Sequence, residues 1–391
     1  MIESSNVGRV RAAAEGRLDA REVWGPAAPA FLEAQWQAFE RFMAAAPGPI
    51  YGVTTLTGHR DGEAHSLTPA QINHAIADSH WFEPTSEPED GLWRLITLTK
   101  LAQMAIGGTP VRLELFNALA EGLTAGRAGR IDMNASYSSG DVIPACQWAL
   151  QSLRFAGLSV EDLAPGEMIA LINGDFVHLG SALWAAERIA SARLRNDAQG
   201  RRAARLLSVS GRYAQRQFPV SFRAMEDVSA ALASTERLMD MTADRLLGSP
   251  SGNPLFHVGP PSRMESQASF LATDLSLAQG SLIEASLALA WIISRRIQHL
   301  CEAFHDGASL SNPIALIQKP KLAEARLEAL RLRHGVRTFA SGGVMSEGVE
   351  DFWTRGLMTS SATADIATGL TDMLRIEADV MDWIEAQQTS A

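Results

Sequence analysis

Helical periodicity is the feature that most constrains this chain. Apolar residues recur at three- and four-residue spacing along most of its 391 residues, and few stretches alternate with period two. Such spacing gives each helix one apolar face, so helices must bury that face against other helices. The pattern predicts helices over residues 27–45, 69–80, 91–106, 110–125 and 144–155, then a short stretch before Asn173. Longer helices are predicted over 176–209, 222–247, 266–305, 319–333 and 360–387. Local signals mark several ends. Thr68-Pro69-Ala70-Gln71 has the capping-box spacing with Pro at the first helical position, and Gly107-Gly108-Thr109-Pro110 separates two helices. Gly252 to Ser262, rich in Pro and Gly, reads as a loop. No internal repeat or low-complexity segment interrupts the pattern. The expected fold class is all-α (mainly α), with one domain over 1–391: an N-terminal part, 1–145, with loops at 46–66 and 126–145, and a long-helix bundle over 146–391.

Composition narrows the partners. The formal net charge is -10 and no basic run occurs, which argues against nucleic acid or an anionic membrane. The two cysteines, Cys146 and Cys301, lie inside apolar helical patterns. Buried free thiols, as expected in a reducing cytoplasm, fit them better than a disulfide. Residues 1–11 contain no apolar secretory core. The apolar run from Ala285 to Ile293 is too short to span a bilayer. No cluster has metal-ligand spacing and no Gly-rich phosphate loop follows a strand, so neither a metal nor a nucleotide is implied.

The segment Tyr137-Ser138-Ser139-Gly140-Asp141-Val142-Ile143-Pro144 carries the chemistry. Small residue, Ser, Gly, Asp, apolar residue, Pro is the local pattern from which one enzyme family builds a backbone electrophile, and Ser, Gly and Asp are also the residues of ordinary turns. The Gly amide nitrogen attacks the carbonyl carbon of the residue before Ser, and loss of two waters leaves a 4-methylideneimidazole-5-one ring. Gly permits the tight closure and Ser supplies the β-hydroxyl that is eliminated.

Other segments occur in the order found in one family. Tyr51-Gly52-Val53-Thr54-Thr55-Leu56-Thr57-Gly58, Ala170-Leu171-Ile172-Asn173-Gly174-Asp175, Gln217-Phe218-Pro219-Val220-Ser221-Phe222-Arg223, Asn253-Pro254-Leu255, Ser294-Arg295-Arg296 and Glu350-Asp351 resemble motifs of the aromatic amino acid ammonia-lyases, the histidine and phenylalanine ammonia-lyase family. The resemblance covers roughly residues 20–385 of a chain shorter than a typical member. It implies a long central helix bundle of the ammonia-lyase/fumarase type, assembled as a homotetramer whose active sites draw on more than one chain. It also implies a carbon–nitrogen lyase that eliminates ammonia from an aromatic or histidine-like α-amino acid, in the cytoplasm. The implied cofactor is the ring made from Ser138, Ser139 and Gly140. Tyr51 would be the base that takes the β-proton if neighbouring dipoles lower its pKa, and Asn173 would bond near the electrophile or the substrate. His80, Gln217, Arg223 and Glu350 would bind substrate, with Arg223 on its carboxylate.

The chain also departs from the family. Val220 stands where the family has a Tyr that contacts the electrophile, Phe218 replaces an Asp, and Asp175 stands where the family has Thr. A Gly-Asn-Phe-His-Gly stretch gives way to Pro260-Pro261-Ser262-Arg263-Met264-Glu265-Ser266. Tyr137 is a candidate to replace the lost phenol. Two further readings stay open: an aminomutase that returns the amine to the β-carbon, and a helical homologue without the electrophile that binds or assembles.

Overall fold

The computed structural model describes residues 5–45, 48–87, 89–136, 140–305, 314–333 and 346–389. The described residues are mainly helical, as expected. In chain order the helices are α1 (Asn6–Ala14), α2 (Arg21–Trp24), α3 (Ala28–Ala44), α4 (Pro69–His80), α5 (Asp90–Ile106), α6 (Leu113–Thr124), α7 (Val142–Phe155) and α8 (Glu167–Ile172). They continue with α9 (Phe176–Val209), α10 (Val220–Arg223), α11 (Met225–Leu247), α12 (Thr273–His305), α13 (Lys319–Arg333) and α14 (Gly356–Thr389). The chain divides into two compact units. The first takes 1–184, 240–276 and 338–360, and the second takes 185–239, 277–337 and 361–391.

In the first unit α5 is the central element. Leu95, Ile96, Leu98 and Leu101 are fully or almost fully buried, each contributing about 1.5–3 kcal/mol of transfer free energy. Helices α1, α2, α3 and α6 pack around it. The capping box predicted for α4 forms. Thr68 Oγ1 accepts from the Gln71 amide, and Gln71 Oε1 accepts from the Thr68 amide at 2.9 Å. Cys146 is buried and free, as expected. One element is new. Where a loop was expected, β1 (Leu255–His257) pairs antiparallel with β2 (Arg263–Glu265). Phe256 and its partner Met264 face the apolar cluster of Trp36, Ala38, Phe39, Phe42 and Met43. Strands of three residues are too short for their alternation to show in a sequence.

The second unit has its own core, with Leu232, Leu289, Ile293, Ile297, Leu327, Leu370 and Met373 buried. Cys301 lies buried and free in it. A buried ion pair crosses this core. Arg296 Nε and Nη2 reach Glu377 at 2.7 and 2.8 Å, both side chains are fully enclosed, and Asn196 Oδ1 accepts a further bond from Nη2. Replacing Glu377 with Ala strands the buried guanidinium, and the expected cost is about 3–5 kcal/mol. Guanidinium denaturation measures it, and a loss below about 1 kcal/mol would contradict this account of the pair.

By length and composition alone, Glu167–Val209 and Thr273–Phe304 each contain a window apolar enough to cross a membrane. The window in the first is 94% buried, the burial expected of a core helix. The window in the second is 56% buried.

Candidate active site

The first unit holds Asn173 by fixing both ends of a six-residue helix. At the start of α8, Glu167 is fully enclosed and accepts from the Arg112 amide at 2.8 Å, from the Arg112 guanidinium at 2.7 Å and from the Ala164 amide. At its end, Lys100 Nζ donates to the carbonyls of Ala170 (2.6 Å) and Asn173 (3.0 Å). Helix-end carbonyls have no partner within the helix, so a buried end needs such a donor. Asn173 is the C-cap, in extended backbone, and it borders a small pocket shared with Val53, Ile169, Asn253 and Met264.

The Tyr51 loop rests on the same helix. The Ile50 carbonyl accepts from the amides of Val53, Thr54 and Thr55, drawing the chain into a tight knot. The bridge between Thr55 and Ala64 closes it. Gly52, at φ +66°, leaves room for Ile169, whose side chain would lie 2.9 Å from an added Cβ. Tyr51 is part-buried, and its hydroxyl accepts from the Gly58 amide at 3.2 Å. Burial raises its pKa above the usual phenol value. The Gly58 bond opposes this, and the charges of Glu350 and Asp61 raise the pKa further. The lowering expected from neighbouring dipoles is thus outweighed, because burial exceeds the effect of the Gly58 amide and the carboxylates of Glu350 and Asp61 add to the rise. Glu350 is therefore placed at the electrostatic edge of the Tyr51 phenol.

At the electrophile motif, Tyr137, Ser138 and Ser139 lie outside the described residues. Gly140 and Asp141 both have left-handed backbone, at φ +100° and +52°. A Cβ on Gly140 would meet the Phe270 ring at 3.1 Å. Asp141 starts α7 as its N-cap and accepts from Ser136 Oγ. Burial pushes the Asp141 carboxyl up to about 6, against the Ser136 bond and with help from the charge of Asp175. Asp175 is 1% exposed; Gln103 Nε2 donates to its Oδ1 at 2.6 Å, and its Oδ2 has no partner. Burial raises its pKa, and the bonds from Ser251 and Gln103 and the charge of Lys100 oppose the rise.

Sequence reasoning missed this buried polar group of Lys100, Gln103, Asp141 and Asp175. The signals were present: Lys100 occupies an apolar position of α5, and Asp175 replaces the family's Thr.

His80 ends α4, with Nδ1 2.8 Å from the Ile76 carbonyl. A carbonyl only accepts, so Nδ1 carries the proton and a neutral ring leaves Nε2 as an acceptor. Gln217 and Arg223 fall in the second unit, where both are exposed. Arg223 Nε donates to the Phe218 carbonyl at 3.0 Å. Val220, in place of the family Tyr, is 65% exposed.

The helical fold is that of the ammonia-lyases and aminomutases. Residues 6–193 match the family model described as aromatic amino acid lyase. The match to an aromatic amino acid lyase thus covers just under half of the chain, the part that carries Tyr51, the Ser138-Ser139-Gly140 segment and Asn173. No curated protein matches the chain. Among solved structures, the ergothioneine-degrading enzyme ergothionase of Treponema denticola superposes with a TM-score of 0.83 at 16% identity, over 98% of this chain and 88% of that one. The tyrosine aminomutase of Streptomyces globisporus gives 0.78 at 19%, over 96% and 85%. Histidine ammonia-lyase of Trypanosoma cruzi gives 0.76 at 17%, over 97% and 82%. At such identities these likenesses establish the fold.

Proposed function

We propose that the chain is a carbon–nitrogen lyase releasing ammonia from an aromatic or histidine-like α-amino acid, with an electrophile formed from Ser138, Ser139 and Gly140. The observation that carries this reading is the Gly140–Asp141 turn. Two successive left-handed residues, one of them packed against Phe270 where a Cβ would crowd, follow directly on Ser138-Ser139. A glycine so held suits a backbone that must close on itself, so the residues present fit the group. When formed, the 4-methylideneimidazole-5-one supplies an electrophile for the substrate's amino group.

The chain's own residues supply the rest. Tyr51 takes the β-proton. Its raised pKa keeps the phenol neutral until a cation comes near, and the substrate ammonium is such a cation. Glu350 attracts the same ammonium and, in its absence, holds the Tyr51 proton on. Asn173 presents its amide from the end of α8. Nε2 of His80 is an acceptor suited to the substrate side chain. Arg223 and Gln217 serve the carboxylate. Their exposure, with that of Val220, supports an assembly in which another copy covers them, in line with a cytoplasmic homotetramer. Light scattering on the purified protein tests the tetramer, and a monomer at working concentration would contradict it.

The deciding measurement is the mass of the tryptic peptide 131–154, together with a screen of L-histidine, L-phenylalanine and L-tyrosine for ammonia release. A deficit of two waters with ammonia release supports the lyase. The same deficit with β-amino acid accumulation replaces it with the aminomutase. An unmodified peptide leaves the helical binding protein.

Replacing Glu350 with Gln separates its two roles. Removing that negative charge lowers the Tyr51 pKa, because the carboxylate favours the protonated phenol. The acid limb of the pH–rate profile is expected to move to lower pH, while the maximal rate falls through lost ammonium binding. An unmoved limb would exclude the electrostatic coupling.

A further inference from the structure

We propose that Lys100 is a positioning residue for the site, locking the end of α8 so that Asn173 is presented in one place, and that Asp175 is its counter-charge. This rests on the lyase reading for the role of Asn173, while the lock itself is a matter of geometry. Nζ holds the carbonyls of Ala170 and Asn173 at 2.6 and 3.0 Å and stands 4.4 Å from the centre of the Phe176 ring. Lys100 is 2% exposed. Its two carbonyl partners are neutral, so neither balances its charge. Asp175, two residues beyond Asn173, is the carboxylate whose field reaches it. The peptide from Asn173 to Asp175 is thereby gripped twice, by Lys100 on the Asn173 carbonyl and by Gln103 and Ser251 on Asp175.

The choice of residue supports the assignment. Only Lys100, Lys319 and Lys321 are lysines among 34 basic residues, and the others are Arg. Lys offers a compact donor that can shed its proton when buried, whereas Arg brings a planar fork that stays charged. Position 100 thus holds a basic side chain that can become neutral. Among the described residues, these charged groups bear on it. Asp141, at the start of α7, acts on Asp175, and Glu167, at the far end of α8, is paired with Arg112. Arg94, on α5 itself, bonds the carbonyls of Ala13 and Ala14.

The lock therefore titrates. Burial lowers the Lys100 pKa to about 7, partly offset by Asp175. The unfolded chain binds this proton up to its ordinary pKa of 10.5, so between about pH 7 and 10.5 the unfolded state holds more protons and stability rises with pH.

The test uses the full-length protein, its K100M variant, which keeps the length without the donor, and D175N. Three readouts are taken: melting temperature from pH 6.5 to 8.5, hydrogen exchange of the peptide spanning 167–176, and the mass of peptide 131–154. The expected results are a wild-type melting temperature that climbs across this range by roughly 3 °C more than that of K100M, and exchange at 167–176 at least about tenfold faster in K100M. In D175N the climb moves to lower pH, since Lys100 loses its counter-charge. The mass deficit persists in K100M, and with an active amino acid kcat falls more than KM changes. Superimposable pH profiles of wild type and K100M, or unchanged exchange at 167–176, would overturn the proposal. So would a K100R variant that restores both readouts, since the assignment needs a compact, titratable donor. Loss of the mass deficit in the wild type itself would instead count against the lyase reading and leave the lock standing. If K100M does not fold, the D175N shift decides.

Discussion

Gly140→Ala is expected to give a folded protein whose peptide 131–154 keeps its full mass and whose kcat/KM falls by at least about 10²–10³-fold, the loss typical of removing one transition-state-stabilising donor. Two physical effects converge. Gly140 sits at φ +100°, a conformation that costs an Ala roughly 1–2 kcal/mol, and the new Cβ would press on the Phe270 ring at 3.1 Å. Each opposes the closure in which the Gly140 amide becomes the nucleophile. The double variant Gly140→Ala with Phe270→Ala separates them. It relieves the contact but not the backbone, so activity should stay low and the peptide unmodified. Recovery of activity in the double variant would mean that crowding alone was responsible and would weaken the backbone argument. A Gly140→Ala protein that still shows the deficit of two waters would remove the electrophile reading of this turn.

Tyr51→Phe is expected to lower kcat by roughly 10²–10⁴-fold, the usual share of a positioned proton-transfer group, while the mass deficit of peptide 131–154 persists. The change removes one hydroxyl, whose bond from the Gly58 amide is part-buried, so the stability cost should be about 1 kcal/mol or less. The loop keeps its shape because Ile50, Thr54 and Thr55 hold it through backbone and threonine hydroxyls. Activity and modification then respond differently, which distinguishes a proton-transfer role from a role in building the electrophile. Retention of activity within about threefold of the wild type would exclude Tyr51 as the base. Its raised pKa makes the first reading steeper: a neutral phenol does nothing until the ammonium arrives, so rate should depend on substrate charge as well as on shape.

Much of the helical frame was readable. The capping box at Thr68–Gln71 is local chemistry, complete within four residues, and it formed as read. The 176–209 boundaries coincide with α9, and α13 starts at Lys319 as read, because periodicity over many turns leaves little freedom. Two things escaped. The short α1 and α2 have too few turns for a periodic signal, and the β1–β2 pair is hidden among prolines and glycines. At the site the motifs were legible as names of residues, but their electrostatics was not. Glu350 is nearly 300 positions from Tyr51, and no reading of the Tyr51 loop could foresee a carboxylate raising its pKa. Lys100 and Asp175 are likewise 75 apart. Each was visible as an oddity, a charge in an apolar stripe and an Asp for a Thr, but only their burial in one place makes them a pair.

The sequence by itself thus determined the longer helices, their order and the family resemblance, since periodicity, caps and motif order are properties of neighbouring residues. The tertiary structure alone decided which groups share a low-dielectric interior. It set the raised pKa of the Tyr51 phenol, the proton-holding of Asp141 and the grip of Lys100 on Asn173, because desolvation and charge act through space and not along the chain.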